Sequence, residues 1–451
     1  HPHLILPGYL TCGITQMEYH QRRETLVRKL LSEVQNVNSS QIIVIPASAK
    51  KYMSDKIPYV FRQNSDFFYL TGCLEPSAVL SRPPSGPQSI MFVNEKDSHA
   101  ELWEGPRTGC DAAVELFAVD EAHPVDTLGT YLRENVTSRS KLWYCLESPA
   151  DPETDRTVRA ASQGLRPADP TRVLHFMRVV KSPAEIELMK ETCLIGCQAI
   201  NMAMACTKPG VSEHQVSAVL DYTCRQAGAE QLSFPPVVAG GPRAAHIHYV
   251  ANNQLLDDSQ MLLVDSGTQR WLYNSDISRT WPVAGEFSKY HRIMYELVLT
   301  VQVIKFILHW NVSGGFIVRL ITQIIAYNRV HNKAYRLCPH HVAHYLGLDV
   351  HDAPLVRRQL PVAAGMVVTV EPGLYISPFE DSVPAEFRGV GIRVEDDVLV
   401  TDGEPLVLTA AAVKEVFAIL RSPKGATEAK SYGQGARRHR SHGGAAHHVS
   451  R

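Results

Sequence analysis

VDSGTQRWLYNSDISRT, Val264 to Thr280, sets Asp265 and Asp276 eleven positions apart. Asp265 closes the apolar run Met261, Leu262, Leu263, Val264, and Gly267 stands just beyond it, which reads as a buried strand ending in a turn. Asp276 lies between Tyr273 and Ile277 on a second run of strand character, so a hairpin-like return brings the two carboxylates together. Two carboxylates at close range repel, and burial favours neither unless a cation lies between them. A divalent metal site is the sharper reading. The blander one is a turn aspartate plus a solvated aspartate.

Downstream, three further stretches each end or cross an apolar run with a potential ligand: PHHVAHYLGLDVHD (Pro339 to Asp352), VTVEPGLY (Val368 to Tyr375) and GVGIRVEDDVLV (Gly389 to Val400). His344, Glu371 and Glu395 add one imidazole and two carboxylates to Asp265 and Asp276. This oxygen-rich set with a single nitrogen suits hard-to-borderline divalent ions such as Mn²⁺, Co²⁺, Fe²⁺ or Zn²⁺. Five such ligands exceed what one ion needs, so two ions sharing bridging carboxylates is the economical arrangement. Each motif alone has a plain alternative: Glu371 before Pro372 and Gly373 as a strand end, Glu395 with Asp396 and Asp397 as a solvated edge, and some of the histidines as core residues. The pair His340 and His344 has the spacing of a zinc-binding HExxH helix, but the second position, Glu in that motif, is His341.

The composition excludes several classes. The chain has 451 residues, 45% of them apolar, which accommodates two or three globular domains. With 45 basic and 46 acidic residues the formal net charge is −1, which gives no electrostatic footprint for nucleic acid or an anionic membrane. The most apolar window, Val301 to Tyr327, is broken by Lys305, His309, Asn311, Gly314, Gly315 and Arg319 and is too polar for a membrane span. Nine cysteines without a CxxC pair form neither a disulfide framework nor a cysteine zinc site and fit a reducing compartment. The stretch HPHLILPGYL lacks the basic and long apolar regions of a secretory signal, so the sequons at Asn38, Asn135 and Asn311 carry no secretory reading.

In chain order, Gln16 to Val37 has helical periodicity and QIIVIPAS (Gln41 to Ser48) reads as a buried strand. DFFYLTG (Asp66 to Gly72), SIMFVNE (Ser89 to Glu95) and KLWYCLE (Lys141 to Glu147) read as further short strands of a mixed-sheet domain. A turn-rich break at Pro167 to Pro170 precedes a helix start in which Ser182 caps, Pro183 occupies the first turn and Glu185 completes a capping box. The expected organisation is residues 1–170, residues 171–421, and a basic, disordered tail over residues 422–451 that has almost no large apolar residue.

The order of these motifs, with FRQNSDFFYLTG, ELWEGPRTG, FPPVVAGG and NSDISRTWPV, resembles the aminopeptidase P branch of the creatinase/methionine aminopeptidase ("pita-bread") metallopeptidases, and within it a mitochondrial group. The resemblance runs from about His1 to Leu420. It implies an α/β (α+β) fold: a creatinase-type mixed-sheet N-terminal domain, then a pita-bread catalytic domain. It implies that Asp265, Asp276, His344, Glu371 and Glu395 hold two divalent ions, commonly Mn²⁺, with Asp276 and Glu395 bridging. His248, His340 and His351 then surround the substrate, and Arg393 supports the metal carboxylates. The implied reaction removes the N-terminal residue from peptides with proline in second position, by attack of a metal-bridging hydroxide, with Glu371 as proton shuttle and His248 and His351 hydrogen-bonding the tetrahedral intermediate. A mitochondrial location, the cytoplasm being the alternative, and a homodimer are also implied. Trp103 is either a core residue or one that closes a site across a subunit interface.

The chain departs from the family between Pro282 and Pro339, where VIKFILHWNVSGGFIVRLITQIIAYNRVHNKAYRL replaces longer helical sequence, and at Ala343, where Gly or Ser is usual. Two other readings stand beside the aminopeptidase: a prolidase restricted to Xaa-Pro dipeptides, and a non-catalytic interaction protein that keeps the pita-bread shape.

Overall fold

A computed structural model describes residues 6–33, 40–82, 89–147, 150–162, 164–310, 337–416 and 419. Most of the unusual segment after Pro282 and the whole of the basic tail lie outside the described residues.

The first helix, α1 (Gln16–Ser32), begins at Thr15, whose side chain accepts from the Glu18 amide. It leads to β1 (Gln41–Pro46), an interior strand of the N-terminal sheet. Residues 66–72, expected as a strand, instead form helix α2 (Ser65–Thr71). The ends decide this: the Asn64 side chain accepts from the Phe67 amide at one end, and Gly72 takes the left-handed conformation at the other. Six of its seven residues are buried. A run apolar on every side shows no period, so helix and buried strand look alike in sequence.

Strands β2 (Val79–Arg82), β3 (Ile90–Val93), β4 (Glu121–Pro124) and β5 (Lys141–Trp143) complete a five-stranded sheet of order β4-β3-β2-β1-β5. The β1–β2 and β2–β3 pairs are antiparallel, while β1–β5 and β3–β4 are parallel. The sheet is therefore mixed.

Helix α3 (Thr171–Arg178) leads into α4 (Pro183–Cys206). The capping box at Ser182 forms: Glu185 N donates to Ser182 Oγ at 3.2 Å and Ser182 N donates to Glu185 Oε2 at 2.9 Å. Helices α4 and α5 (Glu213–Gln226) pack behind a sheet of β6 (Val237–Gly240), β7 (Met261–Ser266) and β10 (Ile277–Pro282). A short side hairpin, β8 (Thr268–Arg270) and β9 (Tyr273–Asn274), interrupts the return from β7 to β10. Strand β10 then pairs antiparallel with β7, placing Ser278 opposite Asp265. At the exit from β7 a Cβ on Gly267 would lie 2.0 Å from the Ser275 carbonyl oxygen, so the close return of the chain demands glycine there.

Helix α6 (Lys289–Trp310) follows and packs against strands from further along the chain, 373–376 and 390–393. Strands β11 (Val367–Val370), β12 (Gly373–Ile376), β13 (Val390–Arg393) and β14 (Asp396–Leu399) form two antiparallel pairs, β11–β14 and β12–β13. They are tied to β10 by the hydrogen bond from Glu395 N to Ser278 O at 3.0 Å.

One apolar core joins the two halves of the chain, with Leu26, Phe67 and Met91 in the same cluster as Leu188, Met189, Trp271 and Leu346. Burying such side chains contributes roughly 1.5–3 kcal/mol each. All nine cysteines are free thiols, and among the described residues no helix is long and apolar enough to cross a membrane.

Candidate metal centre

The strand ends converge. Asp265 is near the end of β7, Asp276 immediately precedes β10, Glu371 follows β11, and Glu395 joins β13 to β14. Buried ligand atoms of Asp276, His344 and Glu395 lie within 4.8 Å of one another, the one such group found among the described residues. His344 Nε2 is 3.5 Å from Asp276 Oδ2 and 3.6 Å from Glu371 Oε1. Asp265 joins them electrostatically: its charge is the largest repulsion felt by Asp276 after the effect of burial.

His344 is oriented for ligation. Its Nδ1 donates to the Tyr345 carbonyl at 3.0 Å, which leaves the Nε2 lone pair facing the carboxylates. The segment from His340 to His344 is not helical, so the zinc-helix spacing of the two histidines has no structural counterpart.

The carboxylates are under-compensated. Burial, then repulsion from Asp265 and Asp397, drives the Asp276 carboxyl well above the usual range. Burial, then Asp276 and Glu371, does the same to Glu395. Glu371 is pushed up to about 7, chiefly by burial. Asp265 Oδ1, Asp276 Oδ1 and Glu395 Oε1 are buried without a hydrogen-bond partner. Buried oxygens of this kind are costly unless something positive meets them. A donor set of orphaned carboxylate oxygens around one imidazole nitrogen fits divalent cations.

Arg393, fully buried, holds this cluster from behind. Its Nη2 donates to Asp265 Oδ2 at 2.6 Å, and its Nε donates to Ser278 Oγ at 2.8 Å. Ser278 Oγ in turn donates to Glu395 Oε2 at 2.7 Å. Arg393 Nη1 donates to the Tyr375 hydroxyl at 2.7 Å, and that hydroxyl donates to His340 Nε2 at 2.8 Å, because His340 Nδ1 is engaged with the His341 carbonyl. Tyr375 and Ser278 were not singled out from the sequence. The strand register gives the signal for both: Ser278 faces Asp265, and Tyr375 lies two residues along from Gly373, the partner of Arg393.

His351 packs its ring edge-on against His344, with centroids 4.5 Å apart. Burial, then the charges of His344, Arg358 and His248, lowers its pKa. His248 is exposed and is thus an electrostatic neighbour of His351. The segment carrying it is fixed by buried Glu213, which accepts from Gly240 N at 2.9 Å, Arg243 Nε at 2.6 Å, Tyr249 Oη at 2.8 Å and Gln254 N at 3.1 Å. Arg358 was also missed: its charge reaches both His351 and Glu371. Trp103 is 77% exposed, on a short helix (Ser98–Glu104), which excludes the core reading.

A carboxylate-and-histidine centre at the strand ends of this fold, preceded by a mixed-sheet domain, defines a metallopeptidase class. Residues 187–402 match metallopeptidase family M24, and residues 19–144 match the aminopeptidase P N-terminal domain. The chain belongs to the aminopeptidase P branch of these metallopeptidases. It is 38% identical to human Xaa-Pro aminopeptidase 3, over 92% of this chain and 87% of that protein. It is 37% identical to the Arabidopsis thaliana protein named intermediate cleaving peptidase 55, mitochondrial, over 92% and 84%. Its fold is similar to the solved structure of Pseudomonas aeruginosa aminopeptidase PepP, with a TM-score of 0.80 and 31% identity over 91% of this chain and 98% of that one.

Proposed function

We propose that this chain is a metal-dependent Xaa-Pro aminopeptidase, removing one residue from the N-terminus of peptides whose second residue is proline. The observation that carries the reading is the convergence of buried, under-compensated Asp276, His344 and Glu395, with Asp265 and Glu371 beside them. Asp265, Asp276, His344, Glu371 and Glu395 would hold two divalent ions, and Mn²⁺ is our choice among the ions this oxygen-rich set suits. When bound, such ions supply Lewis acidity and a water acidic enough to ionise near neutral pH.

The chain's own residues do the rest. Arg393 and Ser278 hold Asp265 and Glu395 in place. Glu371, in reach of His344 and His340, takes a proton and delivers it to the leaving proline nitrogen. His351, packed against His344, and His248, whose charge reaches His351, would donate hydrogen bonds to the tetrahedral intermediate. His340, steered by Tyr375, lines the same side as Glu371, 3.7 Å away.

We divide the chain at about residue 170, with the catalytic part ending near 421 and the tail following it. A homodimer is supported by an exposed apolar face on the N-terminal domain, where Tyr52, Met53 and Ile57 of a surface hairpin stand near Leu102 and Trp103, the Lys50–Glu104 ion pair at 2.8 Å linking the two. The name of the Arabidopsis relative supports a mitochondrial location.

Purified protein reconstituted with Mn²⁺ is expected to release the first residue of an Xaa-Pro-Pro tripeptide, and Asp276→Asn to abolish release. Equal turnover by that variant contradicts the assignment. Cleavage of Xaa-Pro dipeptides but not tripeptides identifies a prolidase instead.

A further inference from the structure

The motif FRQNSD, Phe61 to Asp66, has no part in the metal centre, yet it makes the densest polar contact between the two halves of the chain. Arg62 Nε donates to Gln269 Oε1 at 2.9 Å, and its Nη2 donates to the Leu348 carbonyl at 2.5 Å and to Asp349 Oδ1 at 3.1 Å. Ser65 Oγ donates to the same Asp349 oxygen at 2.7 Å. The other Asp349 oxygen accepts from Arg178 Nη2 at 2.6 Å. A cleft of about 710 Å³ opens beside these residues, bounded by Arg62, Ser65, Arg178, Asp349 and Leu355. The contact is therefore made at the edge of solvent and not inside a packed core.

What Arg62 grips is the loop that follows the metal-site histidine. The loop is closed on itself by the hydrogen bonds from Asp352 N to Tyr345 O at 2.9 Å and from Gly347 N to Asp349 O at 3.1 Å. A Cβ on Gly347 would lie 2.4 Å from Asp352 Oδ2, so the loop has no room to relax inward. His344 precedes it and His351 is part of it, and those two rings touch. Displacing Asp349 moves His351 two residues away, whereas His344 is held separately by the hydrogen bonds of Thr369 and Tyr345.

We propose that Arg62, in the N-terminal domain, is a positioning residue for His351: with Ser65 it clamps Asp349 and sets where the His351 imidazole stands over the metal centre. The N-terminal domain thereby acts on the turnover step itself. The inference rests on the metallopeptidase reading given above.

The test compares Arg62→Ala, His351→Ala and the double variant in the full chain with Mn²⁺, using an Xaa-Pro-Pro peptide. Arg62→Ala is expected to lower kcat about 10-fold with KM within about 2-fold and metal content unchanged, as misplacement of one catalytic group does. In the His351→Ala background the same change is expected to cost nothing further, because both act through one group. An undiminished kcat, or a full loss repeated in the double variant, overturns the proposal. Ser65→Ala, which removes the hydrogen bond to Asp349 and the one Ser65 Oγ accepts from Arg62 Nη1 while keeping the Arg62 guanidinium, provides the same comparison if Arg62→Ala does not fold. Amide hydrogen exchange supplies a readout without turnover: Arg62→Ala is expected to accelerate exchange across residues 345–352 and leave residues 261–266 unchanged, and equal exchange in both proteins overturns the clamp. A wild-type chain that cleaves no peptide defeats the functional reading, while the exchange comparison still decides for or against the clamp.

Discussion

The cluster around Asp276 and the cluster around Asp352 both gather carboxylates with cationic side chains, yet charge runs opposite ways in them. Around Asp276, the carboxylates of Asp265, Asp276, Glu371 and Glu395 have one ion-paired guanidinium, that of Arg393 on Asp265, with the imidazoles of His344 and His340 beside them. The pKa values of Asp276, Glu371 and Glu395 are pushed up, and one oxygen each of Asp265, Asp276 and Glu395 is orphaned. Around Asp352, the carboxylates of Asp66, Asp349 and Asp352 meet the cations of Arg62, Arg178 and Lys181. There burial works against the charge of Asp349, but Arg178 and Arg62 outweigh it and hold its pKa at about 2. Neighbours in sequence show the same divide. Glu395 is driven up, while Asp396, against burial, is held below the usual range by Arg279 and Lys414. A balanced set of charges is a structural clasp. A set with surplus negative charge is a place for cations.

The contrast breaks most visibly at Glu395. Glu395→Gln is expected to lower peptide turnover by at least about 1,000-fold. The same change is expected to raise the unfolding midpoint of the metal-free protein, because it removes one of the repelling charges. Lower midpoints for the metal-free variant would mean that the cluster is structurally satisfied without cations.

At the balanced cluster the sign reverses. Arg178→Met leaves Asp352 and Asp349 short of a cation in a site where Arg178 and Asp352 are 3% and 1% exposed. A loss of about 3–5 kcal/mol is expected, the scale for breaking a buried pair on one side, read as a fall in the midpoint of urea unfolding. Metal saturation should not restore it.

Titration sharpens the comparison further. Glu371 titrates at about 7 in the folded metal-free chain against an ordinary value of 4.5. Between those values the folded state binds more protons than the unfolded one, so stability falls as pH rises from about 4.5 through about 7. The metal-free protein is therefore expected to lose on the order of a few kcal/mol of stability between pH 5 and 8, read as a falling melting temperature, and bound divalent ions to reverse the loss. Asp349 runs the other way: its stabilising share is present above its ordinary value of 3.8 and is lost as pH falls through about 2. Thermal scans from pH 2 to 8, with and without divalent metal, separate the two clusters.

The candidate metal cluster was legible in sequence as a set of potential ligands because its members close apolar runs or stand at turns: Asp265 before Gly267, Glu371 before Pro372, Glu395 after Val394. The structure brings these strand ends together with His344. The capping box at Ser182 was legible for the same local reason. The segment Asp66 to Gly72 was not, since a short run buried all round carries no periodicity, and its caps at Asn64 and Gly72 were the only local signs of a helix. Ser278, Tyr375 and Arg358 escaped because their roles come from strand register and from neighbours distant in sequence. The Arg62–Asp349 contact joins residues 287 positions apart, and no pattern of spacing announces such a pair.

Counting divalent ions per chain after equilibration with Mn²⁺ and removal of the excess tests whether the surplus negative charge around Asp276 marks a dinuclear metal centre. Two ions are expected for the wild-type chain and fewer for Asp276→Asn, with Arg178→Met, if folded, retaining two. A wild-type chain that retains none, or an Asp276→Asn chain that retains as many as wild type, would contradict that reading.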